Sequence, residues 1–243
     1  MHDFSTRVLA QELLDGNQVA EEEVRKSLLD LRRINQMFGA KRVLLSALAK
    51  ELSRRQATDF SVLDIASGSC DLPIAVIRWA SSRGMRSRVF ALEYRHRHLR
   101  LFRNELAAHS QLHPFCADAL QAPVPDGSFD FVTCGHFLHH LTEEQAATLL
   151  SSMANWARYA VIVSDLERHP VSYYFFRTFQ RFLTTSRVSR LDGLTSLAQS
   201  FQKPELEKIA QRAGLAGCTV ERRWPFHLLL VADGGGTARQ GSS

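Results

Sequence analysis

The 243-residue chain is 45% hydrophobic, enough apolar mass for one sizeable core, which fits one globular domain with additions and excludes two full domains. No apolar run approaches the ~20 residues of a membrane-crossing helix, and the opening Met1-His2-Asp3-Phe4 has neither the basic head nor the apolar middle of a signal peptide, so a cytoplasmic protein without a membrane span is expected. The formal charge of +5 is carried mainly by arginine, which raises the question of a nucleic-acid partner.

Residues 1–57 show helical periodicity, with Leu28, Leu31, Ile34 and Phe38 on one face and Val43, Leu44, Ala47, Leu48 and Leu52 on the next, broken near Gly39. They are expected to form a cap of two or three helices. Ser61 to Ile65 reads as a buried strand that runs into the tight turn Ala66-Ser67-Gly68-Ser69-Cys70 and then a helix from Asp71. Asp64 closes the strand and Asp71 follows the turn, so two carboxylates flank the helix N-terminus. The pyrophosphate of a dinucleotide would be repelled there, because like charges close together are unfavourable. A cationic ligand would be favoured.

Arg88 to Leu92 is a second strand that ends on Glu93, and Leu112 to Cys116 a third that leads into Asp118-Ala119. Around the second strand lie Arg83, Arg86, Arg88, Arg95, Arg97, Arg100 and Arg103. The last three recur at helical spacing opposite Leu99, Leu101 and Leu106, as on the solvated face of an amphipathic helix. No zinc finger or stacking platform accompanies them, so nucleic-acid binding is not expected. The turn Pro125-Asp126-Gly127 opens a fourth strand through Cys134, in which Asp130 is expected to tie down neighbouring backbone amides.

A helix over 143–158, with Leu149, Leu150, Met153 and Trp156 on one side, precedes a fifth strand over 159–163. This alternation predicts an α/β fold whose parallel sheet is covered by helices on both faces. Residues 165–203 form an aromatic and basic insertion, followed by a helix over 205–213 stopped by Gly214. Two last strands, near 218–223 and 226–231, meet at Trp224-Pro225 in a hairpin, and residues 233–243 have linker composition and read as a flexible tail. Cys70, Cys116, Cys134 and Cys218 form no C-x-x-C pair, so reduced, mostly buried thiols are expected and a structural zinc site is not.

The acidic residue followed by small residues at alternate positions, Asp64, Ala66, Gly68 and Cys70, resembles the first motif of the class I, Rossmann-like S-adenosylmethionine-dependent methyltransferases. Glu93, Asp118-Ala119 and the segment 125–134 stand where that family has its next three motifs. The resemblance spans about residues 57–232. It implies a seven-stranded sheet with the final strand antiparallel, a methyltransferase domain over 58–232, and S-adenosylmethionine (SAM) as cofactor. It further implies that Asp64, Ala66, Ser67, Gly68, Asp71, Glu93, Tyr94, Asp118, Ala119 and Cys134 line the cofactor site. Glu93 would accept from the ribose hydroxyls, Asp118 would read the adenine amino group, and Arg32, Arg33 or Asn35 of the cap would reach the methionine carboxylate. For Asp118 a turn-forming role is the alternative.

Open parallel sheets bind ligands beyond the carboxyl ends of their strands, so the insertion is the natural lid of an acceptor pocket. A plain amphipathic helix burying Tyr174, Phe175, Phe179 and Phe182 explains its aromatics as well. A phenolic acceptor has a pKa of ~10 and needs a base to remove its proton. His139 is the first candidate and His169 the second, with Asp165 as orienting partner. His136 and His140 share the same sheet edge. Adjacent His139 and His140 side chains are expected to diverge, so no metal is expected.

The function so implied is methyl transfer to a small aromatic or hydrophobic acceptor, at oxygen first, with carbon methylation of a quinol or polyketide-like ring close behind. A catalytically inactive protein that binds SAM or a partner is the alternative. RNA methylation and NAD-dependent oxidoreduction rank below it, the latter because glycines are absent at Ala66 and Asp71. Acceptor identity and oligomeric state are not legible.

Overall fold

A computed structural model describes residues 3–16 and 18–235. The expected tail is therefore described only to Gly235, and its remaining residues, 236–243, lie outside the described part.

The strands follow from alternating burial. β1 (Asp59–Ile65) is buried at every position after Asp59. Phe60 and Val62 enter the core on one side, and Leu63 and Ile65 enter the core on the other, as expected for a strand covered on both faces. β4 (Phe129–Gly135) and β5 (Ala157–Leu166) repeat the pattern, and with β2 (Arg86–Glu93), β3 (Leu112–Cys116), β6 (Thr219–Arg223) and β7 (His227–Asp233) they form one seven-stranded sheet in the order β3-β2-β1-β4-β5-β7-β6. β1 to β5 pair in parallel, while β7 runs antiparallel to both β5 and β6. Strand order reverses between β1 and β4. That reversal opens a crevice at their carboxyl ends.

On one face lie α2 (Ala40–Arg55), which crosses β5 and β7, and α3 (Asp71–Ser81), which covers β2. α6 (Glu143–Trp156) and α9 (Lys203–Arg212) cover the other face. Leu44 and Leu48 of α2 are fully buried, each contributing about 1.5–3 kcal/mol, so this helix belongs to the helix layer on the sheet as much as to a cap. α1 (Glu21–Met37) joins the same core through Val24 and Leu28 and packs on α8 (Arg187–Gln199), which also carries α7 (Pro170–Leu183). The joint between α1 and α2 is Gly39 at φ 78°, a left-handed conformation that side chains resist. Among the described residues no helix is long and apolar enough to cross a membrane.

Several expectations shift. α6 begins with a Thr142–Gln145 capping box but ends at Trp156, because Ala157 is extended and pairs with Phe129 in the sheet. Sheet pairing overrides the helix propensity of Ala157-Arg158. The arginine-rich helix breaks at Phe102 into α4 (His96–Leu101) and α5 (Arg103–Ala107). Its arginines are not simply solvated, since Arg97 donates to the carbonyls of Leu14 at 2.8 Å and Gly16 at 2.6 Å, and Arg100 pairs with Glu21. In α7 the buried residues are Ser172, Phe176 and Leu183. Phe175, Phe179 and Phe182 are exposed, because α7 packs mainly on α8 and only one stripe of it is covered. Cys116 is exposed rather than buried. Asp130 accepts from the amide and hydroxyl of Ser61, both at 2.8 Å, and ties β4 to β1 as expected.

Candidate active site

The turn after β1 is shaped by three left-handed residues, Ala66 at φ 54°, Gly68 at φ 53° and Cys70 at φ 59°. Its amides are held from the neighbouring strand: Ser67 donates to the carbonyl of Leu92 at 3.0 Å and Gly68 to Glu93 Oε2 at 2.7 Å. Arg32 of α1 braces the far side of the turn through Ser69 Oγ at 2.8 Å and Glu105 at 2.7 Å. Arg33 pairs with Asp30. Of the three cap residues considered for the cofactor, only Asn35 lines the cleft.

That cleft, about 340 Å³, opens over the carboxyl ends of β1, β2 and β4, within the ~300–1,000 Å³ usual for ligand pockets. Asp64, Ala66, Ser67, Gly68, Asp71, Glu93, Tyr94, Asp118 and Ala119 all line it. Cys134 does not: it is fully buried in the hydrophobic core beneath, where burial pushes its thiol far above the ordinary value. Asp118 also accepts from the amide of Leu120 at 2.9 Å, so it is a turn former facing the cleft.

The carboxylates differ in character. Glu93 is held by the amides of Gly68 and Arg95, with His98 Nδ1 3.3 Å away. Asp71 lies 3.3 Å from the ammonium of Lys41, which offsets its charge. Asp64 accepts from Thr133 Oγ1 at 2.7 Å, yet burial first, with Asp71 and Glu93 adding, raises its carboxyl to about 7. A cation entering the cleft would favour its ionised form.

His139 and Asp165 are brought together as anticipated. His139 Nδ1 lies 2.6 Å from Asp165 Oδ1, and its backbone amide donates to Asp165 Oδ2 at 3.1 Å. Burial alone would raise Asp165, but the charge of and hydrogen bond from His139 outweigh it and hold the carboxyl at about 2. An ionised carboxylate only accepts, so Nδ1 of His139 is the donor in this pair. His169 is not in the cleft. It is exposed and caps α7, its Nδ1 accepting from the amide of Val171 at 3.2 Å, which is why its place after β5 misled: a histidine just before Pro170 is a helix start.

Sequence alone missed the N-terminal segment. The expected helical cap does not extend to the start of the chain: the described residues before α1 form no helix, yet Glu12, Leu14 and Asp15 line the cleft. Arg7 donates to the carbonyls of His139, Leu141 and Gln199, and the amides of Leu13 and Leu14 donate to Asp192, each at 2.8 Å. His139 and His140 do not diverge: their rings are 4.4 Å apart, and both Nε2 atoms lie 3.9 Å from Glu12 Oε1. These three ligand atoms lie within 4.8 Å of one another, but each residue already has a protein partner. Ser196 and Gln199 donate to Glu12, Asp165 engages His139, and Asp15 lies 3.1 Å from His140. Burial lowers His140, but Asp15 and Glu12 prevail and raise it to about 9.

Residues 62–159 match a family model described as a methyltransferase domain. No curated protein sequence matches the chain. Among solved structures, human N-acetylserotonin methyltransferase in complex with SAM is similar at TM-score 0.64 and 14% identity, over 89% of this chain and 57% of that one. A candidate O-methyltransferase of Nostoc punctiforme PCC 73102 is similar at TM-score 0.57 and 19% identity, over 81% of this chain and 56% of that one. Magnesium protoporphyrin IX methyltransferase of Synechocystis PCC 6803, with bound S-adenosylhomocysteine, follows at TM-score 0.54 and 16% identity, over 81% and 84%. At such identities the likeness is one of fold, and the chain spans little more than half the length of the first two. Residues 62–159 thus match a methyltransferase domain, and the sheet that carries them has the Rossmann-like methyltransferase fold.

Proposed function

We propose that this chain transfers a methyl group from SAM to a small aromatic or hydrophobic acceptor, at oxygen first and ring carbon second, without a metal ion, in the small-molecule chemistry of the cytoplasm. The observation that carries the reading is one cleft lined by both an acidic cofactor set and His139, whose ring is held by the buried Asp165. The donor set fits SAM: Glu93 and Asp118 suit its hydroxyl and amino groups, and Asp64 its cationic end.

SAM supplies an electrophilic methyl group on a sulfonium. The chain supplies alignment, exclusion of water and a proton acceptor. Nε2 of His139 takes the acceptor's proton, and Asp165 positions the imidazole and stabilises its charge. The N-terminal segment closes over the pair through Glu12 and Arg7.

Calorimetry with SAM, S-adenosylhomocysteine and NADH tests the cofactor half. The first two should bind and NADH should not. Tight NADH binding with indifference to SAM defeats the proposal. On a panel of phenols, His139→Ala should lower turnover about 100-fold or more with SAM affinity within about twofold. An equal loss of both would make His139 a structural residue.

A further inference from the structure

Beside the cofactor cleft lies a second, smaller cavity of about 90 Å³, bounded by α1, α7, α8 and the β6–β7 turn. The two cavities share Leu31, Asn35, His136, Leu166 and Ser196 as lining residues. Phe38, Phe175, Phe176 and Phe226 make much of its wall aromatic, and neither a cation nor a carboxylate lines it among the described residues.

Three of its polar groups are unusual. Asn35 Oδ1, His136 Nε2 and His227 Nδ1 are buried atoms with no hydrogen-bond partner. Such atoms are uncommon and each calls for an explanation. Asn35 is 8% exposed and His227 2%. Asp71 can only accept, so the 3.4 Å contact from Asn35 Nδ2 fixes the amide and leaves Oδ1 to receive a hydrogen. The rings of His136 and His227 lie 5.3 Å apart and nearly parallel, at 16°. Burial first, and the neighbouring His227 next, lower His136 to about 3, and burial also lowers His227. Both imidazoles are therefore neutral near pH 7, able to donate or accept but not to pair with an anion. His136 itself is held at φ 52° at the end of β4, a conformation uncommon for a side-chain-bearing residue and frequent at functional sites.

We propose that this cavity is the ring subsite of the acceptor, and that Asn35, His136 and His227 select an uncharged single-ring hydroxyarene bearing a second polar substituent. The inference rests on the methyltransferase reading above. The second substituent hydrogen-bonds Asn35 Oδ1 or a neutral imidazole inside the cavity, while the reacting hydroxyl stays at the cofactor cleft, toward His139. At 90 Å³ the cavity is smaller than the roughly 150 Å³ apolar cavity that takes benzene, so the ring spans the shared wall and keeps one edge in the cofactor cleft. A carboxylate on the ring would be desolvated with no cation to meet it.

The test is ligand-observed NMR and calorimetry on the full chain, with and without S-adenosylhomocysteine, using 1,3-dihydroxybenzene, toluene and 3-hydroxybenzoate. The dihydroxybenzene should bind about tenfold or more tighter than either other probe. His227→Leu, which touches only the smaller cavity, should weaken it about fivefold or more with S-adenosylhomocysteine binding retained, and Asn35→Leu, on the wall shared with the cofactor cleft, should weaken the dihydroxybenzene in the absence of S-adenosylhomocysteine. Equal binding of 3-hydroxybenzoate or toluene to the unaltered protein overturns the inference, whatever the variants do. So does dihydroxybenzene affinity unmoved by both substitutions. Ring binding without any S-adenosylhomocysteine binding would leave this subsite standing and defeat the cofactor reading instead.

Discussion

Asp64 is the residue where the charge argument from sequence is both kept and altered. Its position beside Asp71 and Glu93 makes the cleft acidic, but the same neighbours and its burial raise its carboxyl to about 7, so near neutral pH it is only partly ionised. Because the folded value lies above the unfolded one of ~3.9, the contribution of Asp64 to folding is fully present below that unfolded value and is lost progressively as pH rises from there through about 7. A bound cation reverses the preference. SAM affinity should therefore rise between pH 6 and 8, by at most about tenfold per pH unit below the midpoint, and calorimetry across that range would show it. Asp64→Asn should flatten the slope and raise the apo-protein Tm at pH 8 by about 3 °C or more. A steep slope that survives the substitution assigns the proton elsewhere. Glu93 behaves differently, since it anchors two amides even without ligand. Glu93→Ala should weaken SAM about tenfold or more by calorimetry and also lower Tm, because the turn loses its tether. An unchanged SAM affinity would misplace the ribose.

At the scale of elements, the pairing of α7 with α8 decides the shape of the smaller cavity. Gly193 of α8 lies under the ring of Phe176, where an added Cβ would stand 2.5 Å from Cε1 and Cζ. No side chain fits without moving that ring. Gly193→Ala should push Phe176 toward the cavity and raise the acceptor KM about fivefold or more while leaving SAM affinity near its original value. Steady-state kinetics with a phenol that the protein methylates would read this directly. If KM is unchanged, α7 is not the wall of the acceptor site. The aromatic run was legible as an insertion, but which rings face inward was not. A helix that packs on one neighbour buries a narrow stripe, and the sequence from Tyr173 to Phe182 offers more aromatic residues than one stripe can hold.

Across the whole molecule, the first residues act as a strap. Arg7 joins this segment to the carbonyls after β4 and to the end of α8, and Arg97 holds it from α4. Burial first, against the pull of Asp165 and Glu205, lowers the Arg7 guanidinium to about 10, still charged at neutral pH. Arg7→Ala should speed hydrogen exchange at the amides of Leu13 and Leu14 and raise the SAM Kd about threefold or more, since the strap walls the cleft. Unchanged exchange would show that the Asp192 contacts alone hold it.

The succession of strands and helices along the chain, the acidic turn after the first strand and the carboxylate at the end of the second were readable because each is local: turn chemistry and strand ends are written within a few residues, whereas the antiparallel close was implied only by the family resemblance and the lateral strand order came from the tertiary structure. The pairing of His139 with Asp165 was readable because both sit at carboxyl ends of adjacent strands in one sheet. The strap, the unpartnered triad of Asn35, His136 and His227, and the retreat of Cys134 into the core were decided by tertiary structure alone. Their partners lie far apart in the chain, as Arg7 and Gln199 do, and which face of a strand end turns toward a cleft depends on what packs above it. Periodicity fixes which residues are buried together along one element; only the closing of the whole chain fixes which buried polar groups are left without a partner.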